Sequence, residues 1–247
     1  MSGLGVYLLP AVIARELRDA THVAVGSDGA LHAAGALLAQ QLGGGSPRVT
    51  ILGSRQQLFF SDGGRELFEA AAQGRIDAFM LGGGQIDGAG NLNFMGRGEY
   101  PELSVRWPGN FGSPYLYSIV RRVVLVREEH SRRVMVPRVD YVSAAGRSDA
   151  RVHRPGGPSA LITSRCVFRY ARETARFVLV SVHGDNTLDD IRRETGFDFD
   201  VDGQEPPRTP EPSAGDVELL KGPVAEALAP TYAAFAARLR EGDAVRR

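Results

Sequence analysis

The stretch FMLGGGQIDGAGNLNF, Phe79–Phe94, decides how the rest of the chain is read. It opens on an apolar run and carries five glycines, and Gly88-Ala89-Gly90 has the look of a nucleotide phosphate loop. A dinucleotide fingerprint, however, needs Gly-x-Gly-x-x-Gly opening a helix at once. Here Asn91-Leu92-Asn93-Phe94 follows Gly90, and Gln85-Ile86-Asp87 follows Gly82-Gly83-Gly84, so neither cluster starts a helix. No Gly-Lys-Ser/Thr is present, which excludes a P-loop. Taken alone, the stretch reads as a strand, a tight turn at Asp87-Gly88-Ala89-Gly90, and a short return strand.

Working outward, short β-branched runs alternate with helical ones. HVAVG (22–26), RVTILG (48–53), IDAFMLGG (76–83), RRVVLVRE (121–128) and ARFVLVSVH (175–183) have strand character. ALHAAGALLAQQL (30–42) and GRELFEAAAQG (64–74) have helical apolar spacing, closed by Gly43 and Gly74. LDDIRRETGF (188–197) predicts a helix capped by Thr187. Strands without polar alternation, separated by helices, predict an α/β fold: an open, mostly parallel sheet with helices on both faces. The expected organisation is a single domain over 1–247, with a proline-rich surface loop near 202–216 and a C-terminal helix over 217–240.

Bulk composition narrows the function classes. Lys+Arg 29 balance Asp+Glu 29, so there is no broad basic face for nucleic acid. No apolar run is long enough to span a membrane, and the N-terminal run lacks the basic start of a signal peptide. Cys166 is the single cysteine, which fits a reducing, cytoplasmic setting.

Other motifs carry weaker chemistry. Gly109-Asn110-Phe111-Gly112-Ser113 leads into a helix-like run, and such a loop turns backbone N–H groups toward an oxyanion or phosphate; the plainer reading is a rigid loop between Pro108 and Pro114. His130 closes a strand, where polar groups of α/β sites gather, or it is a hydrogen-bonded structural histidine. Cys166 sits in a strand context that favours a buried structural thiol. Arg132, Arg133 and Arg138 form either a solvated face or a clamp for anionic groups. No metal-ligand spacing and no Gly-x-Ser-x-Gly elbow occurs.

The order of the motifs says more than any one of them. VAVGSDGALHAAGALLA, GRELFEAAAQGRIDAFMLGGGQIDGAGNLNF, WPGNFGSPYLYS, VVLVREEHS, ALITSRCVFRY and TLDDIRRETGFDFDV, in series from Val23 to Val201, resemble the β-subunit of family I coenzyme A transferases, of the glutaconate CoA-transferase B type. The resemblance implies a chain that pairs with an α-subunit, as a heterodimer or heterotetramer. It implies an acyl-CoA substrate, with coenzyme A entering as part of the substrate and no permanently bound cofactor. In the family's transferases a β-chain Glu attacks the thioester, and glycines of the segment matching Gly109-Asn110-Phe111-Gly112-Ser113 shape the thioester environment, with Gly112-Ser113 here where Gly-Gly is usual; backbone at Gly82, Gly83 and Gly84 is a second candidate source of N–H donors.

The chain departs from that pattern where the nucleophile belongs. VTILGSRQQLFF (49–60) holds no carboxylate; Ser54 and Arg55 occupy the tip, and Asp62 and Glu66 come later. A neutral side chain cannot form the acyl anhydride of the covalent route. The resemblance therefore implies decarboxylation or hydrolysis of an acyl-CoA, with Ser54, Arg55 and His130 as candidate catalytic residues. A genuine transferase subunit and a non-catalytic chain completing an α-chain's site are the alternatives.

Overall fold

The computed structural model describes residues 5–242. The chain divides into two compact units, one running up to Met80 and resuming at Pro210, the other spanning Leu81–Thr209.

The first unit is an α/β layer. It runs α1 (Gly5–Glu16), β1 (His22–Val25), α2 (Ala30–Leu42), β2 (Arg48–Ile51), α3 (Gly63–Ala72) and β3 (Ala78–Leu81). Strand β1 pairs in parallel with β2 and with β3, in register Val23 to Val49 and Val23 to Ala78. Val23, Ala24 and Val25 are fully buried, as expected for a parallel strand covered on both faces. Helix α2 is alanine-rich along Ala33–Ala39, which lets it approach its neighbours closely. At Gly35 a Cβ would lie 2.5 Å from Ile13 Cβ and 3.2 Å from the Pro10 carbonyl, so α1 and α2 touch there backbone to side chain.

The second unit begins with two small hairpins. These are β4 (Gln85–Ile86) with β5 (Leu92–Asn93), and β6 (Gly96–Glu99) with β7 (Glu102–Arg106), both antiparallel. There follow α4 (Ser113–Ile119), β8 (Arg122–Arg127), β9 (Pro158–Thr163), β10 (Cys166–Ala171), β11 (Arg176–Val182), α5 (Leu188–Glu194) and β12 (Asp200–Val201). Strands β8–β9 and β11–β12 are parallel, while β9–β10–β11 is an antiparallel meander. Phe168, Phe177 and Phe197 form the aromatic centre of this unit, with ring centroids 5.7–6.3 Å apart. Each fully buried ring contributes about 1.5–3 kcal/mol relative to exposure. Thr187 and Asp190 form the capping box that starts α5.

Within the first unit the strands are ordered β3-β1-β2, and within the second β12-β11-β10-β9-β8. The expected open, mostly parallel α/β sheet is thus present, with the meander as its antiparallel part. Among the described residues no helix is long and apolar enough to cross a membrane.

The C-terminal segment differs from a single helix over 217–240. It forms α6 (Ala214–Leu219), a π-turn over Leu220–Val224, α7 (Ala225–Leu228) and α8 (Ala233–Glu241). Gly222 takes non-helical angles beside Pro223, and Pro230 follows α7, so each break has a residue that cannot continue the ladder. Helix α6 starts inside the expected loop because Ser213 and Asp216 build a capping box. Upstream, the proline-rich stretch lies along β11, with Val182 N–H donating to the Pro207 carbonyl and Thr209 N–H to that of Val182.

Candidate functional site

In an open α/β sheet ligands bind beyond the carboxyl ends of the strands. In the first unit those ends are the loops Gly26–Gly29 after β1 and Leu52–Gln57 after β2. The two loops touch: a Cβ on Gly53 would lie 3.1 Å from the Ser27 carbonyl. The Tyr232 hydroxyl, entering from the C-terminal segment, donates to that same carbonyl at 2.7 Å. Ser54 is buried, and its Oγ accepts from the Gln57 N–H at 3.2 Å, while the Ile51 N–H donates to the Gln57 carbonyl. Ser54 therefore shapes the loop. Arg55 beside it is exposed. The carboxylates nearest in sequence are engaged elsewhere. Glu66 accepts from the Ser61 N–H and hydroxyl, whose hydrogen bonds hold it below the usual carboxylate range, and Asp62 pairs with Arg65 at the start of α3.

His22 lies at the opposite end of β1. Its ring contacts the Arg75 carbonyl at 3.0 Å and Thr50 Oγ1 at 2.8 Å. Asp77 accepts from Thr21 and His22 N–H groups there, tying strand starts together.

The remaining candidates belong to the second unit. The turn Asp87–Asn91 is a carboxylate-centred turn: Asp87 Oδ1 accepts from the Ala89 and Asn91 N–H groups, each at 3.0 Å. Gly90 has φ +75°, and buried Tyr117 donates to its carbonyl at 2.7 Å. These glycines turn the chain and leave no phosphate cradle. A Cβ on Gly82 would lie 3.1 Å from the carbonyl oxygen of Val126, one residue before the end of β8. Gly84 has a different reason to be glycine. The Trp107 indole lies where its Cβ would be, with Cε3 2.5 Å from that point. Gly109 has φ +101° with open space around it, and Gly112 precedes α4 without a side-chain cap. Ser113 N–H donates to the Asn110 carbonyl at 2.7 Å, and Phe111 stands 77% exposed at the loop's tip.

His130 follows β8 and is buried. Nδ1 lies 2.8 Å from Thr163 Oγ1, and Nε2 lies 3.0 Å from Thr195 Oγ1. The Thr195 hydroxyl already donates to the Ile191 carbonyl at 2.7 Å, so Nε2 carries the ring proton and Nδ1 accepts from Thr163. Burial pushes the imidazole down to about 4, helped by the charge of Arg165, so it is neutral near pH 7. Both nitrogens are occupied by threonines, the geometry of a ring that ties β9 and α5 to β8. Cys166, 3.7 Å from Nδ1, has its thiol pushed up to about 12 by burial and is the inert structural thiol expected.

The basic run after β8 separates on inspection. Glu129, a residue the sequence reading passed over, grips Arg133 through both oxygens at 3.1 and 2.7 Å and accepts from the Ser131 hydroxyl. The Arg133 contact holds Glu129 below the usual carboxylate range. Its spacing four residues before Arg133 is the signal that could have found it. Arg132 donates to the Arg193 carbonyl. Among the described residues no group of three or more His, Cys, Asp or Glu could hold a metal ion.

Loops at the carboxyl ends of parallel strands, glycine-rich turns after β3 and before α4, and mostly parallel strands interleaved with helices define an α/β fold. The chain belongs to the coenzyme A transferase family, whose model matches residues 1–194. It is 29% identical over 163 residues to the B subunit of 3-oxoadipate CoA-transferase from Pseudomonas knackmussii, covering 63% of this chain and 62% of that protein. It is 28% identical over 154 residues to the B subunit of glutaconate CoA-transferase from Acidaminococcus fermentans, covering 60% and 56% respectively. The match thus spans less than two thirds of the length of either relative. Among solved structures, the decarboxylase AibA/AibB superposes with a TM-score of 0.71 at 25% identity, over 87% of this chain and 92% of that one.

Proposed function

We propose that this chain is the β-type subunit of a two-chain enzyme that acts on an acyl-CoA thioester without a nucleophilic carboxylate of its own, by decarboxylation or hydrolysis. The observation that carries the reading is the loop Leu52–Gln57. It stands where the family resemblance puts the attacking Glu, yet it offers a buried loop-forming Ser54 and an exposed Arg55. The similarity to the AibA/AibB decarboxylase supports decarboxylation ahead of hydrolysis. An α-type partner is supported by the names of the two curated relatives, each of which is one subunit of a larger enzyme.

In a decarboxylation the carbon–carbon bond to a substrate carboxylate breaks as CO2 leaves. Its electron pair passes into the thioester as an enolate, which is then protonated. Such a reaction needs a cation to hold the carboxylate and N–H donors for the thioester oxygen. Arg55 supplies the first in this reading. Hydrolysis would require an activated water, with its base on the partner chain, because the His130 ring is held by two threonines.

The test is CO2 release by the co-expressed two-chain complex from acyl-CoA esters bearing a free carboxylate. The expected result is one CO2 per turnover, with Arg55→Gln slowing kcat/KM about ten-fold or more through loss of a charge-assisted hydrogen bond. Unchanged turnover in Arg55→Gln would favour a β-chain that only completes its partner's site. Coenzyme A transfer to a free acid without CO2 loss would favour the transferase reading, which the names of both curated relatives support.

A further inference from the structure

Away from these loops, the second unit contains a cavity of about 220 Å³ between the segment 146–158 and strand β10. Arg147, Arg154, Tyr170 and Arg172 line it together with Ser148 and Asp149. That volume lies below the usual range for whole small-molecule ligands, about 300–1,000 Å³, and suits an ion or a single group of a larger molecule.

The cavity is built rather than incidental. Its rims are glycines that nothing else could replace. A Cβ on Gly146 would collide with the Ala89 carbonyl, and one on Gly156 would lie 2.6 Å from the Val120 carbonyl. The segment is also sewn down between the rims. Gly146 N–H donates to Asn91 Oδ1 at 3.0 Å, Gly156 N–H to the Ser118 carbonyl at 2.9 Å, and Arg172 Nη1 to the Pro155 carbonyl at 3.1 Å.

Its charge is unbalanced. Three arginines line it against one carboxylate, Asp149, which Arg151 holds at 2.9 and 3.1 Å, while Arg172 Nη2 donates to the Arg121 carbonyl at 2.6 Å. Arg154 is fixed by the Ser148 hydroxyl at 3.1 Å, by the Ala145 carbonyl and by the Tyr117 ring face at 5.5 Å. Its Nε is nonetheless buried without a hydrogen-bond partner. A buried donor left unsatisfied is costly, and structures ordinarily supply it with an acceptor.

We propose that this cavity binds a phosphate-class oxyanion, held by Arg147 and Arg154 with Arg172 at its edge. Planar guanidinium forks match the oxygens of such an anion. The group is either free inorganic phosphate or a phosphate carried by a larger molecule. Coenzyme A, whose involvement rests on the functional reading above, is one such carrier.

The experiment is calorimetric titration of the full-length chain, at low ionic strength, with inorganic phosphate, coenzyme A and dephospho-coenzyme A in separate arms. Arg147→Gln is the informative variant because that side chain lines the cavity without anchoring the segment, unlike Arg154 and Arg172. Arg192→Gln on α5 controls for the change in net charge. Saturable phosphate binding weakened about ten-fold or more in Arg147→Gln, but not in Arg192→Gln, is the expected result. Weakened coenzyme A binding with unchanged dephospho-coenzyme A binding would assign the site to the 3′-phosphate carrier. Coenzyme A binding that Arg147→Gln leaves intact while phosphate binding falls would assign it to the free ion. Absence of saturable binding in every arm, or equal losses in the two variants, would overturn the proposal. Failure of the coenzyme A arm alone counts against the acyl-CoA reading and leaves the oxyanion site standing.

Discussion

At the residue scale the most telling side chain is His130. Its position after an apolar strand was legible in the sequence, as were its two readings. What decided between them was not legible: Thr163 and Thr195 come from segments 33 and 65 residues away. The pH dependence follows from its depressed pKa. In the unfolded chain the imidazole protonates near its ordinary value of 6.5, whereas in the fold it resists protonation down to about 4. Stability from this group is therefore complete above pH 6.5 and declines as the pH falls toward 4, by on the order of 3 kcal/mol. His130→Gln keeps a polar group between the threonines but cannot titrate. Denaturant unfolding of both proteins across that window is expected to show wild type losing its advantage as the pH drops. A stability difference that stays constant would contradict the assignment of a buried neutral ring. Gly84 teaches a related lesson. Its place in a glycine run suggested access for a ligand, and the fold spends it on the Trp107 indole, 23 positions later in the chain.

At the element scale the pattern of strands and helices was readable because each signal was local. Helix α2 occupies the span its apolar spacing marks, and Thr187 caps α5 as its chemistry requires. The antiparallel turn of β9–β10–β11 was not readable, since buried parallel and antiparallel strands share the same apolar content. The C-terminal helices were misjudged in length because alanine-rich helical character outweighed Gly222, Pro223 and Pro230 in the pattern. One prediction belongs to the α1–α2 contact. Alanine at position 35 improves helix propensity by about 1 kcal/mol. Against that, overpacking a tight contact costs about 1–3 kcal/mol. The obstacle is the branched Cβ of Ile13 rather than a flexible side-chain end, so the overpacking wins. Gly35→Ala is expected to lower the thermal midpoint. A rise in midpoint for Gly35→Ala would show that the helices separate without cost.

At the scale of the whole molecule, family and fold were within reach of the sequence because the motifs recur in a fixed order from Val23 to Val201. The reaction was not, since the residue that would name it is missing from Leu52–Gln57. The cavity beside Tyr170 was also beyond sequence reading, because its arginines gather only when segment 146–158 folds onto β10. In the proposed reaction this chain handles an acyl-CoA without forming a bond to it. Intact-mass spectrometry tests that directly. The co-expressed complex is mixed with its acyl-CoA, quenched with borohydride, and each chain is weighed. The expected result is an unmodified mass for this chain under turnover. A mass change mapping to Asp62 or Glu66, the signature of a trapped glutamyl- or aspartyl-thioester, would contradict it and restore the covalent transferase route.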